Sequence, residues 1–264
     1  ETDMKETDYL MNETEIMYRQ TDIWKIFRYN AFTLSQKNMW NYGGTPFSNN
    51  ASLRWQSMTM NRYEWDVKET FAWNWLDSRL LRGGPDVRFG SYFLTSAKFN
   101  TDKAKRMMFM LKYEGDHNFE GNRFNTISPS LTFRLGNHVY LSGQLDYAWN
   151  TDEMQYVATT SPLSSSSLAP YYYVMGHMDQ KTYGLTLKLQ VNVTPDISIQ
   201  FYGAPFTSIA KYDDFKLAAD TKSHTFENRF QRIDPDQLTY ADGVYTIGEG
   251  AGQMPFRNPD FRFN

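Results

Sequence analysis

The stretch TYGLTLKLQVNVTPDISIQFYG, residues 182–203, decides the fold class of this chain. Apolar residues occupy every second position before a Thr-Pro-Asp sequence, and the alternation resumes after it. An apolar–polar period of two is typical of a β-strand with one covered face, and Thr-Pro-Asp is typical of a tight turn. The stretch therefore predicts a hairpin of two amphipathic strands, whose apolar face must be covered by a protein core or by a lipid bilayer.

Composition narrows the classes of protein that are open to this chain. It has 264 residues, a formal net charge of −3 and no cysteine, which argues against a nucleic-acid partner, a disulfide framework and thiolate metal sites. Its mean hydropathy is −0.63 and no run approaches 18 apolar residues, so a transmembrane helix is not expected. The 18 Tyr, 19 Phe and 7 Trp are many for an ordinary domain but suit a transmembrane β-barrel with aromatic girdles at both bilayer interfaces.

Strand period recurs along most of the chain. Residues 63–75 show it most clearly, with three tryptophans on one face and a single interruption at Glu69. Residues 87–99, 106–114, 126–135 and 139–149 repeat the pattern, and residues 24–40 and 52–60 show it less cleanly. These segments are longer than the usual strand of about five or six residues and match the length of about nine to eleven that spans a bilayer.

The connectors between these segments alternate between short and long. Short ones are predicted at 61–62, 100–105, 136–137 and 194–196, and long ones at 41–50, 81–85, 114–122, 150–170 and 203–260. Up-and-down barrels of outer membranes have short turns at one end and long loops at the other, whereas a Greek-key sandwich does not require such regularity. We expect residues 1–264 to form one all-β, antiparallel, up-and-down transmembrane β-barrel region, with a Ser-rich loop at 150–170 and a long external loop at about 203–260.

The strand count suggests an incomplete barrel. About nine strands are predicted, and a tenth begins at Phe261, whereas closed barrels of this class usually have an even number. We therefore expect this sequence to be a portion of a larger barrel, because open strand edges are unfavourable in lipid.

Several motifs give the chain a resemblance to a known family. They are Arg82-Gly83-Gly84-Pro85, Gln155-Tyr156-Val157, Met178-Asp179-Gln180-Lys181-Thr182, Leu185-Thr186-Leu187-Lys188-Leu189, Thr194-Pro195-Asp196-Ile197-Ser198-Ile199-Gln200, Tyr202-Gly203 and Pro205-Phe206. Together they resemble the Bacteroidota outer-membrane proteins that carry an N-terminal family-9-type carbohydrate-binding domain and a C-terminal barrel of unknown function. The resemblance implies that this chain corresponds to the barrel part. Residues 5–10 depart from the family, since only Tyr9 and the acidic character of its Asn-Asp-x-Gly-aromatic motif are kept.

No catalytic, cofactor-binding or metal-binding residues are predicted. His138 with Ser142 or Ser128 is the pair to consider for a hydrolase, but no third partner is evident. His117, His177 and His224 do not complete a metal-ligand spacing with it either.

Other polar clusters have ordinary explanations that we favour. The acidic groups Asp213-Asp214 and Asp234-Pro235-Asp236 lack the spacing of a calcium loop, and the glycines between Gly248 and Gly252 lack a phosphate-loop context. Tyr171-Tyr172-Tyr173 could stack sugar rings, although girdle positions are favoured. The mixed charges of Glu64, Asp66, Lys68, Arg106, Lys112 and Glu114 predict a solvated or salt-bridged lumen more than a selectivity lining.

The leading expectation is a non-enzymatic pore, transport or scaffold component in a Gram-negative outer membrane. Its expected partners are outer-membrane lipid and other envelope proteins, with a glycan as a further candidate, within a larger envelope complex that handles glycans or secreted proteins. Two alternatives stay open: a barrel-borne envelope hydrolase acting on lipid or glycan, and a soluble carbohydrate-binding β-sandwich.

Overall fold

The protein is all-β and antiparallel in the computed structural model, which describes residues 9–44, 46–73, 75–136, 138–163, 170–194 and 196–264. The helical elements are one short helix, α1 (Phe226–Arg229), and two 3-10 turns, Pro235–Gln237 and Gly250–Gly252. The strands, in chain order, are β1 (Tyr9–Gln20), β2 (Phe27–Asn41), β3 (Pro46–Thr59), β4 (Glu64–Trp73), β5 (Trp75–Asp77), β6 (Val87–Phe89), β7 (Tyr92–Asn100), β8 (Met107–Asn118), β9 (Arg123–Leu135), β10 (Val139–Thr160), β11 (Tyr172–Thr194), β12 (Ile197–Gly203), β13 (Phe206–Ala218), β14 (Phe230–Arg232), β15 (Leu238–Ala241), β16 (Val244–Ile247), β17 (Met254–Arg257) and β18 (Phe261–Phe263). No helix in the described structure is long and apolar enough to cross a membrane.

One large sheet of 13 strands dominates the molecule. Its order is β1-β2-β3-β4-β7-β8-β9-β10-β11-β13-β14, so neighbours in the sheet are mostly neighbours in the chain. β12 and β13 follow one another along the same edge of β11. At the gap between them, Leu185 of β11 donates its N–H to the carbonyl of Pro205 at 3.0 Å. Together they act as one long strand that is broken at residues 204–205.

The ends of the large sheet are not joined. Among the described residues the order begins at β1 and ends at the short strand β14, which, like β18, pairs with the outer edge of β13. The up-and-down antiparallel order that the sequence predicts is therefore present, but as an open sheet and not as a closed barrel.

The strand boundaries correct several predictions. β1 alternates too weakly to be predicted, and its polar positions Asn12 and Thr14 share the face of Ile16 and Tyr18. The loop predicted at 203–260 is wrong over Phe206–Ala218, since β13 pairs with β11 there. The loop predicted at 150–170 is wrong over 150–160, because β10 continues to Thr160, and residues 164–169 lie outside the described residues. The strand predicted to begin at Phe261 is confirmed as β18.

The alternation of short and long connectors that the sequence predicts holds only in part. At one end, which we call the short-turn end, four pairs of strands are joined by short connectors. Residues 21–26 join β1 to β2, residues 60–63 join β3 to β4, residues 101–106 join β7 to β8, and residues 136–138 join β9 to β10. Residue 137 lies outside the described residues. β11 and β12 also join there, at 195–196, where the Pro195 of the predicted turn is outside the described residues too. At the opposite end, which we call the long-loop end, two connectors predicted as long are short, because β2 ends at Asn41 before β3 begins at Pro46 and β8 ends at Asn118 before β9 begins at Arg123.

The long-loop end carries a packed layer, which we call the rim layer, formed by residues 75–90, 150–160, 172–178 and 212–257. Its first apolar core holds Leu81, Val87, Met154, Met175 and Phe230, and its second holds Val174, Phe215, Ile233, Ile247 and Phe256. The β5–β6 hairpin belongs to the first core, and the three-stranded sheet β15-β16-β17 contributes Ile247 and Phe256 to the second. These cores give the rim layer the buried apolar contacts of a small globular unit.

The Arg82-Gly83-Gly84-Pro85 motif is a structural turn in the rim layer. Arg82 and Gly83 have φ of 48° and 106°, in the left-handed region. A Cβ on Gly84 would lie 2.7 Å from both the Leu81 Cβ and the Tyr173 ring, so only glycine fits this approach.

Candidate functional site

A continuous apolar row crosses nine strands of the large sheet. Side chains directly opposite each other in an antiparallel pair lie on the same face, so the strand register identifies the row. Its members, from β1 to β11, are Tyr18, Phe32, Trp55, Val67, Ala97, Tyr113, Ile127, Tyr147 and Tyr183. We call the face that carries this row the apolar face.

The neighbouring row, on the other side of the sheet, is mostly polar. Its members, from β1 to β13, are Met17, Thr33, Arg54, Lys68, Ser96, Glu114, Thr126, Ala148, Thr182 and Ser208. Moving by one residue along every strand thus leads from a row of apolar side chains to a row of mostly polar ones, as expected for strands whose successive side chains point to opposite faces. We call this second side the polar face.

The apolar face is exposed across the width of the sheet. Ile16 is 66% exposed on β1, Leu145 is 58% exposed on β10, and Ile199 is 60% exposed on β12. More than a dozen further large apolar residues are exposed on the same face, whereas the largest apolar patch of a typical soluble monomer covers about 300–600 Å². This face therefore requires a covering environment.

Aromatic rings concentrate at the two ends of the apolar face. At the short-turn end, Trp65 contacts Phe99 with 4.4 Å between ring centroids, Tyr63 contacts Phe99 at 5.8 Å and Phe27 contacts Trp55 at 6.4 Å. At the long-loop end the contacting rings are Phe71 with Trp73 and Phe93, Phe93 with Phe119, and Tyr147 with Trp149 and Tyr183. Aliphatic side chains such as Leu53, Leu111 and Leu187 lie between the two aromatic groups.

Glu69 is a carboxylate on the apolar face. It lies between Val67 and Phe71 on β4, and the Thr95 hydroxyl on β7 donates to its Oε2 at 2.7 Å. This hydrogen bond satisfies one oxygen of the partly buried carboxylate.

The polar face carries paired charges. Arg54 on β3 holds Asp66 on β4 through two bonds of 2.7 and 2.5 Å, and Lys112 lies 2.7 Å from Glu114. Lys103 pairs with Glu64 at the short-turn end. Four of the residues predicted to be solvated or salt-bridged, Glu64, Asp66, Lys112 and Glu114, thus form ion pairs.

A cavity of about 280 Å³ opens between the large sheet and the rim layer. Trp75 and Tyr92 form one wall, with 5.5 Å between their ring centroids, and Asp116, Arg123 and Asp152 line the other side together with several asparagines. Burial, aided by the charge of Asp116, raises the pKa of Tyr92, and burial also raises the pKa of Asp152. We call this space the rim cavity. It combines flat apolar rings with carboxylate, amide and guanidinium groups.

A charged cluster lies beside the rim cavity where strands β10, β11 and β13 lose regular register. His177 Nδ1 is 3.0 Å from Glu153 Oε1, and the buried Lys216 ammonium lies 3.8 Å from the other Glu153 oxygen and 3.5 Å from Asp214. Burial lowers the pKa of His177, but the nearby Glu153, Asp213 and Asp179 outweigh it and raise the pKa above its ordinary 6.5.

The candidate hydrolase residues do not assemble. His138 Nδ1 is hydrogen-bonded to the carbonyl oxygen of Asn192 at 3.2 Å, and the Ser128 hydroxyl donates to Asp146 at 2.6 Å. No hydrogen bond joins His138 to Ser142 or Ser128 in the described part of the chain. Serine, histidine and carboxylate therefore do not form the chain of contacts that nucleophile activation needs.

The acidic and glycine-rich segments occupy structural positions. Asp214 is 3.5 Å from both Lys216 and Arg232, and Asp236 lies in a 3-10 turn that precedes β15. Gly248 and Gly250, with φ of 77° and 62°, shape the turn between β16 and β17. Within the described residues there is no group of three His, Cys, Asp or Glu side chains that could hold a metal ion.

The predicted tyrosine cluster divides between two environments. Tyr171 is exposed, whereas Tyr173 packs against the first apolar core beside Gly84. The rim cavity was not predicted, because Trp75, Tyr92 and Asp152 are distant in sequence; a signal was the repeated Asp and Asn at the end of β8 and within β10.

These observations define an all-β protein whose large antiparallel sheet has one exposed apolar face and one salt-bridged polar face. The sequence model described as Domain of unknown function (DUF5916) matches residues 3–240, and the chain therefore belongs to that family. No curated protein matches the chain. No solved structure matches it either.

Proposed function

We propose that the large sheet spans an outer membrane, with its apolar face against lipid and its polar face lining an aqueous interior. The observation that carries the proposal is the exposed apolar face, which extends from β1 to β12 and is bordered by aromatic groups at both strand ends. Transmembrane barrels show the same three features: outward apolar positions, inward polar positions and two aromatic girdles. The likeness to Bacteroidota outer-membrane proteins in the motifs quoted above agrees with this assignment.

The open edges of the sheet bear on its assembly in a bilayer. Unpaired backbone groups cost several kcal/mol each in hydrocarbon, so the free edges of β1, of β12 and of the part of β13 not paired with β14 or β18 need strand partners there. We propose that the sheet is part of a closed barrel that serves as a pore, transport or scaffold component of the cell envelope. The salt-bridged polar face suits an interior filled with water or with polar protein.

A matched pair of arginine substitutions tests the orientation of the sheet. Leu187 lies on the apolar face of β11, opposite Gly143 and Gly203, and its neighbour Thr186 lies on the polar face. Leu187→Arg is expected to destabilise the protein folded in phospholipid vesicles by about 2–4 kcal/mol, because an arginine near the bilayer midplane is poorly solvated. Thr186→Arg serves as the control and is expected to change the folding free energy by less than about 1 kcal/mol.

The proposal fails if the wild-type protein is extracted from membranes without detergent. It also fails if the two arginine variants unfold at the same denaturant concentration in vesicles, since a lipid-facing position must discriminate between them.

A second candidate function is glycan binding in the rim cavity. The supporting observation is the combination of the Trp75 and Tyr92 rings with Asp116, Arg123 and Asp152, since flat rings and convergent polar groups suit sugars. Titration of soluble oligosaccharides, followed by tryptophan fluorescence, would test it. Trp75→Phe should abolish a binding-dependent change that Trp149→Phe, a substitution on the apolar face, leaves intact.

A further inference from the structure

A groove of about 450 Å³ lies at the short-turn end, between the β3–β4 and β7–β8 turns. It opens on the apolar face, because Met107 and Phe109 on β8 pair with Phe133 and Leu131 of that face. Tyr63 forms part of the same wall, with its ring against Phe99. The groove is therefore an extension of the proposed lipid-facing surface at its aromatic border.

Two cations line this groove. Arg62 comes from the β3–β4 turn and Lys105 from the β7–β8 turn, and both are exposed. Neither has an ion-pair partner among the residues that the structure describes, whereas Lys103 of the same turn is paired with Glu64. Asp102 also lines the groove, but it is buried and its Oδ1 accepts the N–H of Ala104 at 2.9 Å. Two positive charges are thus left to face the groove.

The turns hold these cations in place. Arg62 has φ of 60°, a left-handed conformation that asparagine or glycine adopts with less strain, and its N–H donates to Thr59 at 2.9 Å. In the other turn, Lys105 donates its N–H to the Asp102 carbonyl at 3.1 Å. The N–H of Thr101 donates to the carbonyl of Phe109, and the Thr101 hydroxyl accepts the N–H of Phe109. The same hydroxyl also donates to the Phe109 carbonyl at 3.3 Å. A backbone that disfavours arginine at residue 62 points to a role for its side chain.

We propose that this groove binds an anionic phospholipid, with the phosphate between Arg62 and Lys105 and an acyl chain along Met107 and Phe109. This inference rests on the proposed membrane function. Charge complementarity supports the phosphate, since each cation near a membrane surface favours anionic lipid. The apolar wall continues directly from the cations, which suits a ligand with a charged head and an apolar tail and not a free phosphate ion.

Lipid binding to the detergent-solubilised protein tests the proposal. Native mass spectrometry would follow the titration of phosphatidylglycerol and, separately, of phosphatidylcholine with the same acyl chains. Wild-type protein is expected to prefer phosphatidylglycerol. The double variant Arg62→Asn/Lys105→Gln should bind phosphatidylglycerol about 25-fold more weakly, a factor of about five for each cation. Asparagine is chosen because it tolerates the left-handed backbone.

The matched control is Lys68→Gln/Lys98→Gln, which removes the same charge from exposed residues on the polar face, away from the groove. It should retain wild-type affinity within about twofold. The inference is overturned if the double variant binds like the wild type or if the control variant loses as much affinity. It is also overturned if sn-glycerol 3-phosphate competes as well as the lipid, because the ligand would then be a soluble phosphate.

The outcomes also separate this inference from the proposed function. A protein that is extracted without detergent contradicts the membrane proposal itself. A protein that requires detergent but shows no preference for phosphatidylglycerol leaves the membrane proposal intact and rejects the lipid groove alone.

Discussion

Replacing Glu120 by glutamine is expected to destabilise the rim layer strongly. Arg229 is fully buried and donates to Glu120 Oε1 and to the carbonyl oxygen of Arg88, while Glu120 Oε2 accepts the N–H of Gly90 at 3.1 Å. Glu120 is itself only 13% exposed. Glu120→Gln would leave a buried guanidinium without its counter-charge, which costs about 3–5 kcal/mol when such a pair is broken from one side.

The structure provides a matched control for this substitution. Glu114 forms an ion pair with Lys112 in which both side chains are more than one third exposed, so Glu114→Gln should cost less than about 1 kcal/mol. The double variant Glu120→Gln/Arg229→Met should recover much of the loss, because it removes the uncompensated charge.

Hydrogen exchange followed by mass spectrometry would measure the effect locally, in peptides that cover β6, α1 and β14. We expect faster exchange in these peptides for Glu120→Gln and no change for Glu114→Gln. Equal exchange in the two variants would refute the reasoning. It would show that the buried Arg229–Glu120 ion pair contributes no more to the stability of the rim layer than the exposed Lys112–Glu114 pair.

Three further substitutions probe the rim layer. Gly84→Ala should destabilise it by about 1–3 kcal/mol in denaturant unfolding, since the new methyl group overlaps Leu81; an unchanged midpoint would contradict the close packing. Phe215→Ala, at the centre of the second apolar core, should cost about 3–5 kcal/mol and accelerate hydrogen exchange in β15-β16-β17; unchanged exchange would show that the core does not hold this sheet. His177→Gln should reduce the pH dependence of stability. Because the pKa of His177 is raised in the folded protein, its pairing with Glu153 stabilises the protein below pH 6.5, and this stabilisation is lost as the pH rises through the folded pKa. Equal pH dependence of the unfolding midpoint in wild type and variant would refute this prediction.

The sequence predicted the strands whose alternation is strong. Residues 182–194 and 197–203 have apolar residues at every second position, and the structure pairs them as β11 and β12. β1 was missed because Asn12 and Thr14 interrupt its apolar side. Before its neighbours are known, a strand can be recognised only by the alternation of apolar and polar residues in its own sequence. β13 was missed because Lys211, Asp213 and Asp214 look like a solvated loop, although Asp214 lies 3.5 Å from both Lys216 on the same strand and Arg232 on β14.

The rim layer could not be predicted, because its contacts are distant in the chain. Arg88 donates its N–H to the carbonyl of Thr221, and Thr221 in turn donates to the carbonyl of Asp86. Neither segment has a local period that identifies the other. The position of Arg229 is of the same kind, since its partner lies in the turn between β8 and β9.

The distance in sequence between the two halves of the rim layer has a consequence for the order of folding. The hairpins of the large sheet join strands that follow each other in the chain, so each closes only a short loop and can form early. The contact between Arg229 and Arg88 closes a separation of 141 residues and can form only after the intervening strands have been brought into register. We therefore expect the sheet to assemble first and the rim layer to close over it in a later, slower phase, which stopped-flow tryptophan fluorescence would resolve from the first.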